Sequence, residues 1–223
     1  MRTLVLLLSV AILAVVAWPA AVGGSSHRYS DYLPPSTFST DPTPVRLLLN
    51  GHRLTFSRAH LQYQSQWAGG PVSEIFVNAL LPDFEPPTKA NLQEFFSRGY
   101  GRQIDVNLKD ARRMRDMKAF KAWRFSYIQP RSVTSKMHGL VGFNTGGGAY
   151  SGMNIFIPEE PHPDIQFFEC DIKIGLIVSP ACQTLFFYNP DIHVDYIYSR
   201  DFLPQWKEIH EGVRRFIAQH SEN

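Results

Sequence analysis

Over the body of this chain, apolar and polar residues alternate in short runs, and prolines and glycines interrupt those runs at short intervals. That punctuation constrains the fold more than any other feature, because it leaves room for strands and tight turns and little room for long helices. Asn50-Gly51 lies between "VRLLL" and "HRLTF", and both turn residues accept the positive φ that a two-residue hairpin requires. Further strands are predicted over Val72–Leu81, Gln103–Leu108, Trp123–Ile128, Gly139–Phe143, Asn154–Ile157, Ile165–Ile174, Gln183–Tyr188 and Ile192–Tyr198. Consecutive short strands of this kind pair as an antiparallel meander.

Two segments carry helical spacing instead. "PPTKANLQEFFSRG" offers Thr88 as a cap, Leu92, Phe95 and Phe96 as an apolar face, and Gly99 as a stop. The longer one is "SRDFLPQWKEIHEGVRRFIAQH", where Phe202, Trp206, Ile209, Val213, Phe216 and Ile217 recur at helical intervals. Asp201 is the predicted N-cap, and Glu211 with Arg215 makes an i,i+4 pair on the wet side. The fold class follows: α+β, a mainly antiparallel sheet with a C-terminal amphipathic helix packed on it.

The ends set the address. Leu4–Trp18 is apolar except for Ser9, follows Arg2, and extends through Val22 to an apolar run of about 19 residues, near the length that crosses a bilayer. Two readings stay open for residues 1–22: a retained membrane-spanning anchor, and a cleaved signal peptide with small residues at Ala21-Val22-Gly23. Both put the rest of the chain outside the cytoplasm, in the periplasm or extracytoplasmic space, tethered to the inner membrane or, if the signal is cleaved, secreted. Residues 23–44 hold four prolines among Ser, Thr and Gly and read as a tether. Residues 45–223 are then one extracytoplasmic domain, with 44% hydrophobic residues in the whole chain to supply a core.

The chain has two cysteines, Cys170 and Cys182, twelve positions apart across a connection that contains Gly175 and Pro180. An oxidising address and an even count predict a disulfide at the base of a hairpin; a nucleophilic cysteine with a histidine partner is the alternative.

Few patterns carry chemistry. The most basic window holds Arg112, Arg113, Arg115, Lys118, Lys121, Trp123 and Arg124, a candidate surface for an acidic protein partner or lipid phosphates. Its plainer reading is a solvated face diluted by Asp110 and Asp116. "DIHVDYIY" sets Asp191, His193 and Asp195 on one side of a strand, a pattern that could bind a metal or move a proton, and that a half-buried strand with a polar outer face explains equally. "HEGVR" at His210 lacks the second histidine of a zinc helix, and "GFNTGGGAYSG" lacks the Gly-Lys-Ser/Thr of a phosphate loop. No catalytic residue, metal site or cofactor is therefore assigned. A formal net charge of +2 gives no bulk case for nucleic acid.

"LLPDFEPPTKANLQEF" (80–95), "PACQTLFFY" (180–188) and "DFLPQWKEIHEGVRRFI" (201–217) together resemble a group of proteobacterial envelope proteins with a single N-terminal span, some of which accompany systems that deliver toxins between cells. The resemblance implies an exported, anchored protein that binds another protein, as an immunity or accessory factor against an envelope-targeted toxin. An envelope hydrolase or transferase acting on lipid or cell wall is the alternative, and a structural accessory of a membrane complex is the third reading.

Overall fold

A computed structural model of the chain describes residues 38–96, 99–113, 122, 125, 126, 128–145, 152–172 and 179–222. The predicted anchor or signal, and most of the tether, lie outside the described residues. Among the described residues, no helix is long and apolar enough to cross a membrane.

Alternation becomes strands, as the punctuation requires. The first hairpin joins β1 (Pro44–Leu49) to β2 (His52–Ser57), paired antiparallel from Pro44↔Ser57 to Leu49↔His52. Asn50 and Gly51 both take positive φ, 48° and 87°, as a turn of this length demands. Val45, Leu47 and Leu49 face inward with Leu54 and Phe56. The run read as one strand from Val72 divides. Gly70–Val72 (β3) pairs parallel with β1, whereas Glu74–Leu80 (β4) begins a separate sheet.

Among the described residues that second sheet has eight strands. After β4 come β5 (Gln103–Asp110), β6 (Ile128–Met137), β7 (Leu140–Thr145), β8 (Met153–Pro158), β9 (Phe168–Asp171), β10 (Ala181–Asn189) and β11 (Ile192–Ser199). Their spatial order is β4-β5-β11-β10-β9-β8-β7-β6, with each neighbouring pair antiparallel. The meander from β6 to β11 therefore returns beside β5. Three boundaries differ from the sequence reading. Over 123–128 the described residues do not form the expected strand: Phe125 is helical, Ser126 lies in a turn and strand geometry begins at Ile128. The ten-residue β6 carries only scattered apolar residues, a pattern that predicts no strand. The strand expected over 165–174 is confined to Phe168–Asp171 in the described residues.

Two helices are delimited within the described residues, α1 (Leu92–Phe95), a single turn, and α2 (Trp206–His220). Thr88 and Asn91 exchange bonds ahead of α1, the Thr88 N–H donating to Asn91 Oδ1 at 2.7 Å and the Asn91 N–H to Thr88 Oγ1 at 3.3 Å. Before α2 the cap differs from expectation. A 3-10 stretch over Arg200–Gln205 precedes the helix, and its cap is Ser199, whose Oγ accepts from the Asp201 N–H. Asp201 thus sits inside the first turn, where its charge suits the amino end.

One face of the large sheet carries the core: Ile75, Val77, Ile104, Val106, Leu108, Val194, Tyr196, Tyr198, Phe186 and Phe168. Helix α2 lies on that face with Trp206, Ile209, Val213, Phe216 and Ile217 buried. Trp206 meets Phe168 edge-on and donates from Nε1 to the His138 carbonyl at 2.9 Å. The small sheet covers the same face through Phe56, whose ring lies 5.7 Å from that of Phe216. The chain end returns to β2, where the Glu222 N–H donates to Arg53 O at 3.0 Å.

The disulfide joins neighbouring strands. Cys170 on β9 and Cys182 on β10 are register partners with Cα atoms 4.0 Å apart, both fully buried.

Candidate functional site

The opposite face of the large sheet is where polar chemistry collects. On β5, Gln103, Asp105, Asn107 and Lys109 point away from the core; on β11, His193, Asp195 and Ile197 do the same. Pairing sets His193 against Lys109, Asp195 against Asn107 and Ile197 against Asp105. The alternation of two unremarkable strands becomes one polar floor because the topology brings them together.

A cavity of about 530 Å³ opens on this floor. Asp105, Asn107 and Asp195 line it from the strands; Tyr63, Phe76 and Tyr100 wall it. The Tyr63 and Phe76 rings stand edge to face, 4.8 Å between centroids, so the wall is braced before anything binds. The loop ahead of β3 is held against β4 by backbone bonds, Gln62 N–H to Phe76 O at 3.0 Å and Asn78 N–H to His60 O at 2.9 Å. The Gln66 side chain adds a donor to Glu74 O at 2.8 Å and accepts from the Phe76 N–H. That loop both covers the edge of β4 and supplies Tyr63 to the cavity.

Polar partners differ along the floor. Asp105 accepts from Asn78 Nδ2 at 2.5 Å and from Gln103 Nε2 at 2.6 Å. Asp195 pairs with Lys109 Nζ at 2.7 Å, and burial nevertheless raises its carboxyl pKa, with Lys109 opposing. The buried Asn107 Oδ1 has no hydrogen-bond donor, and neither His193 ring nitrogen has a partner. Burial, then the Lys109 charge, pushes His193 down to about 4, so its imidazole is neutral at pH 7.

The residues singled out in the sequence divide accordingly. His193 and Asp195 do share one side of β11, but Asp191 belongs to the preceding turn. There its carboxylate meets His52 Nε2 at 3.0 Å and its carbonyl accepts from Asn50 Nδ2. The three are therefore not one constellation. The polar face of β11 is also drier than a solvated strand face, since His193 is 2% exposed. Of the basic window, Arg112 is described: its guanidinium grips Asp110 through Nε and Nη2. The side chains of Arg113, Arg115, Lys118, Lys121, Trp123 and Arg124 lie outside what the structure describes. Among the described residues, no three His, Cys, Asp or Glu side chains are placed to hold a metal ion.

A second polar chain lies on the core side. Asp164 Oδ2 meets His210 Nε2 at 3.1 Å and accepts from Arg214 Nη1 at 2.8 Å, while His210 Nδ1 faces the Tyr196 hydroxyl at 3.3 Å. It has the connectivity of an acid–base relay, but Tyr196 is buried beneath α2 and His210 on the inner face of that helix, so no substrate reaches the hydroxyl. The relay pins α2 to the sheet.

Cavity residues Tyr63, Phe76, Tyr100, Asp105, Asn107 and Ile197 escaped the sequence reading. The available signal was the strict alternation Gln103, Asp105, Asn107, Lys109, which matches that of β11.

No family model matches the sequence, and no curated relative does. Solved structures do match. The chain is similar in fold to a bacterial immunity protein. That protein is Smlt3025, an immunity protein of the Stenotrophomonas maltophilia type IV secretion system, matched with a TM-score of 0.58 at 16% identity over 82% of this chain and 94% of that one. The Neisseria meningitidis iron-regulated outer membrane lipoprotein FrpD also matches, at a TM-score of 0.42 and 11% identity over 84% of this chain and 98% of that one, too low to carry an argument.

Proposed function

We propose that this chain is an extracytoplasmic protein-binding domain that neutralises an envelope-targeted toxin. The observation that carries the reading is the fold shared with a secretion-system immunity protein along most of both chains. Two features support it. A walled cavity with aromatic sides and a polar floor is a surface for recognition. A buried cross-strand disulfide suits an oxidising compartment, as export by residues 1–22 would provide. In this reading residues 23–44 tether residues 45–223 to the inner membrane, and the basic window meets the partner. Arg112 is already committed to Asp110, so charge reversal belongs at Arg113 and Arg115.

The test has two halves. Proteins captured from envelope extract by the full chain are purified and returned to it, to measure a defined complex. Each is then exported in cells with and without this chain. Growth rescued by co-production supports neutralisation. Hydrolysis of lipid or peptidoglycan by the purified chain, lost in Asp195→Ala and accompanied by no defined complex, overturns it in favour of an enzyme.

A further inference from the structure

The charged residues that line the cavity are of one sign, beside the neutral Gln62, Tyr63 and Tyr100. Asp105 and Asp195 bring carboxylates, and Asn107 brings an amide oxygen that no donor satisfies. That oxygen is buried as it stands, and rotation about the soft χ2 torsion of asparagine would be needed to turn it toward the cavity. Lys109, the neighbouring cation, is spent on Asp195 and does not line the space. An anion would therefore meet two carboxylates, and an apolar group would seal the Asn107 oxygen without a donor, whereas Asp105 already accepts from Asn78 and Gln103 and Asp195 pairs with Lys109. A donor-rich cation meets both needs, and the aromatic walls favour it further, since ammonium and guanidinium groups are attracted to ring faces within about 6 Å.

We propose that the cavity over β5 and β11 receives a lysine or arginine side chain of the protein partner, its head group on Asp105, Asn107 and Asp195 and its stem between Tyr63, Phe76 and Tyr100. This rests on the protein-binding reading above and names the chemistry by which that partner is recognised. The braced Tyr63–Phe76 pair means that little ordering is left for the moment of binding. Ile197, which also lines the cavity, stands across from Asp105 in the β5–β11 register, so it is the position from which the chain could block its own site.

The full chain is titrated with the capped tripeptides Gly-Lys-Gly and Gly-Arg-Gly, with Gly-Glu-Gly and Gly-Leu-Gly as controls, following backbone amide resonances. The basic peptides are expected to shift amides of residues 105–107 and 195–197, and the controls to leave them in place. Asp195→Asn and Asn107→Leu should each weaken the basic peptides at least fivefold, and Ile197→Lys should abolish their binding. Asn107→Leu should do this without lowering the denaturation midpoint, because it removes an unsatisfied buried oxygen, an outcome a merely structural asparagine would reverse. No shift with the basic peptides, or equal shifts with all four, overturns the proposal. The partner reading is judged separately. A captured partner that binds wild type and Ile197→Lys equally leaves that reading standing and sinks this one. Binding of basic peptides with no protein partner does the opposite.

Discussion

His193 shows how far a single side chain departs from its sequence context. In "DIHVDYIY" it alternates with apolar residues and reads as an outward polar group. In the fold it is 2% exposed, its ring 5.6 Å from that of Phe187, with both nitrogens unmatched. A buried polar group without a partner costs about 1–3 kcal/mol relative to an apolar one of the same shape. His193→Phe keeps a planar ring and removes both nitrogens, so it should raise stability by about 1 kcal/mol after some loss to the larger ring. Urea denaturation at pH 7 measures it; an unchanged or lower midpoint would show that the imidazole contributes something the fold needs. Patterning identifies which residues share a side of a strand. It does not report whether that side meets water, because the answer depends on segments far away in sequence.

Among the elements, α2 was the most legible. Its apolar spacing, its docking on the sheet and its burial of Trp206 follow from the sequence, because a 15-residue amphipathic helix carries its own periodicity. Trp206→Ala removes a 2%-exposed indole and its bond to the His138 carbonyl, and should cost about 3–5 kcal/mol. That carbonyl belongs to the His138-Gly139 turn between β6 and β7, where both residues take positive φ, 56° and 73°. Histidine in such a turn gives a weak signal, so β6 went unread while the Asn50-Gly51 hairpin did not. Gly212 gives a less obvious test. Alanine in place of glycine inside a helix ordinarily gains about 1 kcal/mol. Here a Cβ would stand 2.6 Å from Phe84 Cε2, and that ring is itself stacked on Phe216. Overpacking costs about 1–3 kcal/mol and outweighs the propensity gain, so Gly212→Ala should lower stability by about 1 kcal/mol. A rise in the thermal midpoint would mean that the Phe84 loop yields freely.

At the scale of the whole molecule, the cleft exists because β11 returns between β5 and β10, a crossover that no local pattern announces. The same closure buries histidines from distant parts of the chain on both sides of the sheet. Burial pushes His60 and His193 down to about 4, and lowers His210 and His220 as well. His60 sits against Phe56 and Phe216 with the His220 charge opposing its own. His210 is pulled up in part by Asp164 and pressed down by His162. A base whose folded pKa is depressed costs nothing while both states are neutral, above pH 6.5. Below that the unfolded chain takes up protons that the folded chain refuses, so stability falls as pH falls, until the folded pKa is reached near 4. For His60 and His193 the span of about 2.5 units at 1.36 kcal/mol per unit gives about 3 kcal/mol each. Asp195 works in the opposite sense, since its raised pKa favours the folded state on protonation, and offsets part of the loss. Two buried histidines alone reach a large share of the roughly 5–15 kcal/mol that holds a domain together, so the chain should unfold in mild acid, with stability declining through pH 6.5 to 4 and not chiefly below 4. Urea midpoints across that range decide it. His60→Gln and His193→Phe should each flatten the slope, and a midpoint constant from pH 7 to 4.5 would show that these rings are protonated in place.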